Sequence, residues 1–62
     1  MEAEKATAFI EVQEDGSFEA SAPTLDAKVR VRGRTLQEAH TLIRETLENK
    51  GIDVTKLEDR LS

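Results

Sequence analysis

Few side chains in these 62 residues have a type and spacing that could do chemistry. The only histidine, His40, has no second imidazole or cysteine to complete a metal ligand set. No serine or aspartate close to it in sequence implies a nucleophilic triad. Glu14 and Asp15 are adjacent acids, the raw material of general acid–base catalysis. They stand just before Gly16, however, where turns favour such residues for conformational reasons. Gly16, Gly33 and Gly51 are isolated, so no glycine-rich phosphate loop is present. The sequence therefore predicts a non-enzymatic protein with no catalytic residue, no metal site and no cofactor. What remains is a basic run: Lys28, Arg30, Arg32 and Arg34 are four of the nine basic residues, in seven positions. Lys28, Arg30 and Arg32 alternate with Val29 and Val31, which puts the three cations on one face of a strand. Phe9 projects from the same outer face, where a polar residue is expected. An exposed aromatic beside arginines is a typical interface anchor, so Phe9, Lys28, Arg30 and Arg32 are the candidate partner-binding residues. The electrostatic alternative is that the cations only neutralise Glu11 and Glu19 while Phe9 covers the stem of Arg30 or Arg32.

The elements that must position these residues are legible one by one. Thr35 lies three residues before Glu38, the spacing of a capping box in which each side chain accepts from the other residue's backbone N–H. Gly51 can take the left-handed conformation that stops a helix, with Leu47 and Ile52 at the apolar positions of a Schellman stop. Leu36 to Lys50 is thus predicted as a helix, with Leu36, Ala39, Ile43 and Leu47 on its core face and Leu42 beside them. Ala6 to Gln13 and Phe18 to Ala22 alternate as half-buried strands. A two-residue Asp15-Gly16 turn would set Val12 against Glu19. A three-residue loop with Gly16 left-handed sets Val12 against Phe18 and Ile10 against Ala20, which keeps one face apolar. That register opposes Glu11 to Glu19, so a basic neighbour is wanted, and the strand Lys28 to Arg32 supplies it. Pro23 ends the second strand. Val54, Leu57 and Leu61 are spaced for a short second helix capped by Asp53 or Thr55.

The predicted fold is α+β: a three-stranded antiparallel sheet packed on one helix (β-β-β-α), with a short C-terminal helix over 54–61. Residues 1–62 form a single domain, with a frayed 1–5 and a core over 6–50. Val12 and Phe18 are expected against Ile43 and Leu47. Hydrophobic residues make up 37% of the chain and charged residues 35%, with Phe9 and Phe18 the only aromatics and no cysteine. So small a core without disulfides predicts burial across a subunit interface, hence a homo-oligomer. The net charge of −4 argues against a nucleic-acid partner. No apolar run reaches membrane-spanning length and no signal peptide is evident, so the expected compartment is the cytoplasm and no membrane contact is expected.

Three stretches carry a family resemblance: Ile10-Glu11-Val12-Gln13-Glu14-Asp15-Gly16-Ser17-Phe18, Ala22-Pro23-Thr24-Leu25 and Gly33-Arg34-Thr35-Leu36-Gln37-Glu38-Ala39. Over roughly residues 6 to 50 the chain resembles the N-terminal domain of HicB-type antitoxins. These stretches correspond to that family's first hairpin, its Val-Pro-x-Leu turn and its Gly-x-Thr-Leu-x-Glu-Ala helix start. The resemblance implies a partial ribonuclease-H-like fold, oligomerisation, and neutralisation of a small basic toxin ribonuclease. Asp26-Ala27-Lys28 stands where the family has Gly-Cys, and the family's C-terminal DNA-binding domain has no counterpart. A second resemblance is to ribbon-helix-helix DNA-binding regulators, with Lys28 to Arg32 as the ribbon, Leu36 to Lys50 as the first helix and Val54 to Leu61 as the second. A third class is a small homodimeric protein of another kind.

Overall fold

The structure, a computed structural model, describes residues 4–60. It contains β1 (Glu4–Val12), β2 (Phe18–Pro23), β3 (Lys28–Gly33), α1 (Leu36–Asn49) and β4 (Ile52–Arg60). The strands form one four-stranded sheet in the order β3-β2-β1-β4. The β1–β2 and β2–β3 pairs are antiparallel, and β4 lies parallel to β1.

The first hairpin has the register that keeps its apolar face intact: Val12 faces Phe18, Ile10 faces Ala20 and Glu11 faces Glu19. Gln13 N–H donates to Ser17 O at 2.7 Å, which closes a loop of Glu14, Asp15 and Gly16. Gly16 sits at φ +87, the left-handed region that the loop demands. Asp15 stabilises the turn with its carboxylate, whose Oδ1 accepts from Ser17 N–H at 3.0 Å and from Ser17 Oγ at 2.6 Å. Between β2 and β3, Thr24 N–H donates to Ala27 O at 3.1 Å, and Ala27 N–H donates to Thr24 Oγ1 at 3.1 Å.

The helix begins where expected, but its cap is shifted by one residue on one side. Glu38 N–H donates to Thr35 Oγ1 at 3.0 Å. The reciprocal arm runs from Arg34 N–H to Glu38 Oε1 at 3.0 Å, not from Thr35 N–H. Gly51, at φ +76, ends the helix, and its N–H donates to Glu48 O at 2.9 Å. Gly33 has a separate role. A Cβ placed there would lie 2.7 Å from the backbone nitrogen of Ala39, so β3 and the first turn of α1 touch only because this residue has no side chain.

The chain after Gly51 corrects the sequence expectation. Residues 54–60 do not make a helix, and the sheet is not three-stranded and antiparallel. Ile52–Arg60 is a strand on the free edge of β1, so the core runs well past residue 50. Leu61 lies outside the described residues, as do residues 1–3 of the segment expected to be frayed. Glu4 and Lys5 of that segment are already in β1. The misreading has one physical cause. Val54 and Leu57 are three apart, a helical interval, but the β1–β4 register slips between Ala6 and Thr7. Val54 pairs with Ala6 and Lys56 with Thr7, so Thr55 is the extra residue of a β-bulge. The bulge turns Val54 and Leu57 to the same side of the sheet. Ile52, Val54 and Thr55 are β-branched and suit a strand, and a helix of that length would be marginal in isolation.

Since β3 and β4 both run with β1, α1 is the crossover that a parallel connection requires. The helix buries Ala39, Ile43 and Leu47 against Ala6, Ala8, Ile10, Ala20, Ala22 and Ile52. Alanines under the helix bring it close to the sheet, and Ile10, Ile43 and Leu47 are the large side chains that fill the core. Phe18, Val29, Val31, Leu36, Val54 and Leu57 are half-buried around its margin. Val12 corrects another expectation: it points to the helix side but is 42% exposed, at the hairpin end of the sheet and outside the buried core.

Candidate protein-interaction surface

The helix covers one face of the sheet and leaves the other uncovered. Strand alternation places Lys5, Phe9 and Glu11 of β1 on that outer face, with Glu19 and Ser21 of β2 and Lys28, Arg30 and Arg32 of β3. The bulge brings Lys56, Glu58 and Arg60 to the same side, and Asp53 stands opposite Lys5. Six of the nine basic residues therefore share this face with four acids, while the chain as a whole carries −4. Among the described residues the acidic excess lies elsewhere, on the helix, in the loops, and at Glu4 and Asp59 on the helix side of the sheet.

Two rows cross the middle of the face. One reads Arg32, Glu19, Glu11, Arg60 from β3 to β4. The opposed pair Glu11 and Glu19 is thus flanked by an arginine on each side, and Arg32 Nη2 lies 3.9 Å from Glu19 Oε2. The next row reads Arg30, Ser21, Phe9, Glu58. Phe9 is half-buried, and the Arg60 guanidinium sits 4.5 Å above its ring centroid, a cation–π arrangement. The cover on Phe9 thus comes from β4, rather than from the stem of Arg30 or Arg32. Strand spacing explains this: β3 and β1 are separated by β2, so Arg30 and Phe9 stand about 10 Å apart in the sheet, whereas β4 is adjacent to β1.

The four sequence-derived residues are only partly brought together. Phe9 and Lys28 line one shallow depression with Glu11, Ser21, Pro23 and Arg60. Arg30 and Arg32 share the face without lining that depression, and both are exposed on edge strand β3. Lys56, Glu58 and Arg60 were missed because their segment reads as a helix. The alternation Lys56, Glu58, Arg60 was the signal that could have found them.

His40 is bound up in structure. Its Nε2 lies 2.9 Å from Asp59 Oδ1, which ties the first half of α1 to the end of β4. Among the described residues Asp15 is the one acid held clearly below the ordinary carboxylate range, first by the Ser17 hydroxyl and then by the Ser17 backbone N–H. Among the described residues no group of three or more metal-ligating side chains comes together, and no helix is long and apolar enough to cross a membrane. Comparison with known proteins finds no matching family model, no matching curated protein and no matching solved structure.

Proposed function

We propose that this chain is a non-enzymatic protein-interaction domain resembling HicB-type antitoxins, and that it presents the uncovered face of its sheet to a protein partner. The observation that carries the reading is Phe9: a half-buried aromatic in the middle of an uncovered sheet face whose other side chains are mostly charged. Its ring supplies apolar contact area, and the cations and acids around it supply directional pairing, the composition of an interface anchor in a polar rim. The acids are interleaved with the arginines. A phosphate backbone lying along this face would meet Glu11 and Glu19 between Arg32 and Arg60, which favours a protein over nucleic acid. Under the antitoxin likeness the partner is a small basic toxin ribonuclease. The same reading has the chain acting as a homo-oligomer. The ribbon-helix-helix alternative loses its basis, because Ile52–Arg60 is a strand where that fold needs its second helix.

The experiment is capture of a partner from native lysate, followed by titrations of that partner and of random duplex DNA at two salt concentrations. Phe9→Ala should weaken the protein complex by about 1–2 kcal/mol, with a shallow salt dependence. Tight DNA binding with a slope near −0.9 per neutralised phosphate, lost on Arg30→Ala and indifferent to Phe9→Ala, would overturn the reading.

A further inference from the structure

The sheet has two open edges, β3 and β4, and their charges treat a second copy of this chain differently. Along β3 every charged residue on the outer face is a cation: Lys28, Arg30 and Arg32. Any two-fold pairing of β3 with itself opposes cation to cation, which closes that edge to self-association. Along β4 the outer face reads Lys56, Glu58, Arg60, and the helix side carries Leu57 and Asp59. A two-fold antiparallel pairing of β4 can be tested register by register. Centring the axis on Lys56, Glu58 or Arg60 opposes a charge to its own copy. Centring it on Asp59 opposes Asp59 to the partner's Asp59. An axis between residues pairs the helix side of one copy with the outer face of the other. Of the axes from Lys56 to Arg60, the one on Leu57 opposes no like charges and keeps the two faces matched over residues 56–58; at the Thr55 bulge the alternation breaks, so the pairing ends there, before Val54 would meet the partner's Arg60. This axis sets Leu57 against the partner's Leu57, Lys56 against the partner's Glu58 and Glu58 against the partner's Lys56.

We infer that a second copy of this chain docks edge to edge along β4, with the two-fold axis at Leu57. The result is one continuous eight-stranded sheet with both helices on the same side. Two observations support it beyond charge. Leu57 and Val54 are half-buried apolar residues at the margin of the core, on the side of the helix where β4 ends the sheet. The core itself is thin, since among the described residues five of its nine buried apolar side chains are alanines. Within one copy Lys56 Nζ lies 3.6 Å from Glu58 Oε1, so both charges stand together on the outer side of this edge strand. The outer face carrying Phe9 stays free, and in the dimer it is doubled in area. The inference rests on the homo-oligomer reading but not on what the outer face binds.

The chain has no cysteine, so single-cysteine variants report one contact each. Leu57→Cys should oxidise to a covalent dimer, because directly opposed antiparallel residues lie about 4.5–5.5 Å apart between Cα atoms. Val31→Cys, half-buried on β3, should not. Glu58→Lys should weaken the dimer about tenfold or more in sedimentation by opposing lysines twice. The double variant Lys56→Glu with Glu58→Lys should restore it. A dimer in sedimentation that fails to cross-link at residue 57, or cross-links equally well at 31, overturns the β4 interface and leaves the oligomer reading standing. A folded monomer at every micromolar concentration overturns both.

Discussion

Gly33 offers the sharpest test of how the helix is seated. A methyl group at this position would lie 2.7 Å from Ala39 N, 3.1 Å from Ala39 Cα and 3.1 Å from Glu38 C. All three are backbone atoms of the first helical turn, so no side-chain rotation can make room. Gly33→Ala must therefore lift the start of α1 from β3 or distort the junction that holds the Thr35 and Glu38 caps. Overpacking of this kind costs about 1–3 kcal/mol. A domain of this size has a total stability of only some 3–9 kcal/mol, and each kcal/mol lost lowers Tm by about 4–8 °C. Thermal and urea unfolding followed by circular dichroism should show a lower midpoint with an unchanged transition slope. The sign makes the test strict. Where the backbone accepts alanine without a clash, replacing glycine stabilises by about 0.4–1 kcal/mol through the unfolded state. An unchanged or raised midpoint for Gly33→Ala would refute the close approach and the packing built on it.

Thr35→Ala removes the acceptor for Glu38 N–H and should cost about 1 kcal/mol in urea unfolding. His40→Ala breaks a half-exposed contact to Asp59 and should cost less than about 1 kcal/mol, read in the same assay. The Asp15 carboxyl should titrate below an ordinary aspartate when followed by NMR, and Ser17→Ala should move it part of the way back up, because it removes the hydroxyl bond, the leading cause, and leaves the backbone N–H bond in place. A depressed carboxyl stabilises the fold above its unfolded pKa, and that contribution is lost as pH falls through the folded value. The hairpin loop should therefore loosen at the acid end of the titration, and Ser17→Ala should reduce that pH dependence.

Local signals along the chain determined most of the elements, because each rests on interactions a few residues apart. The loop before Ser17 follows from the need to keep Val12 opposite Phe18, and Gly16 duly takes a positive φ. The helix between Thr35 and Gly51 follows from a cap, a stripe and a stop, all within one segment. The outward cations of β3 and the outward Phe9 follow from alternation. The tertiary structure decided what depends on a distant strand. Ile52–Arg60 becomes a strand because β1 offers it an open edge, and a bulge at Thr55 reconciles a three-residue apolar interval with a two-residue pleat. Val12 points to the helix side, as alternation requires, yet stays 42% exposed because it lies past the buried core. Arg60 covers Phe9, and His40 meets Asp59, because β4 lies beside β1, and neither contact has a signature within any one segment. Sequence periodicity reports which side of its own element a residue takes; which elements become neighbours is set by closure of the sheet.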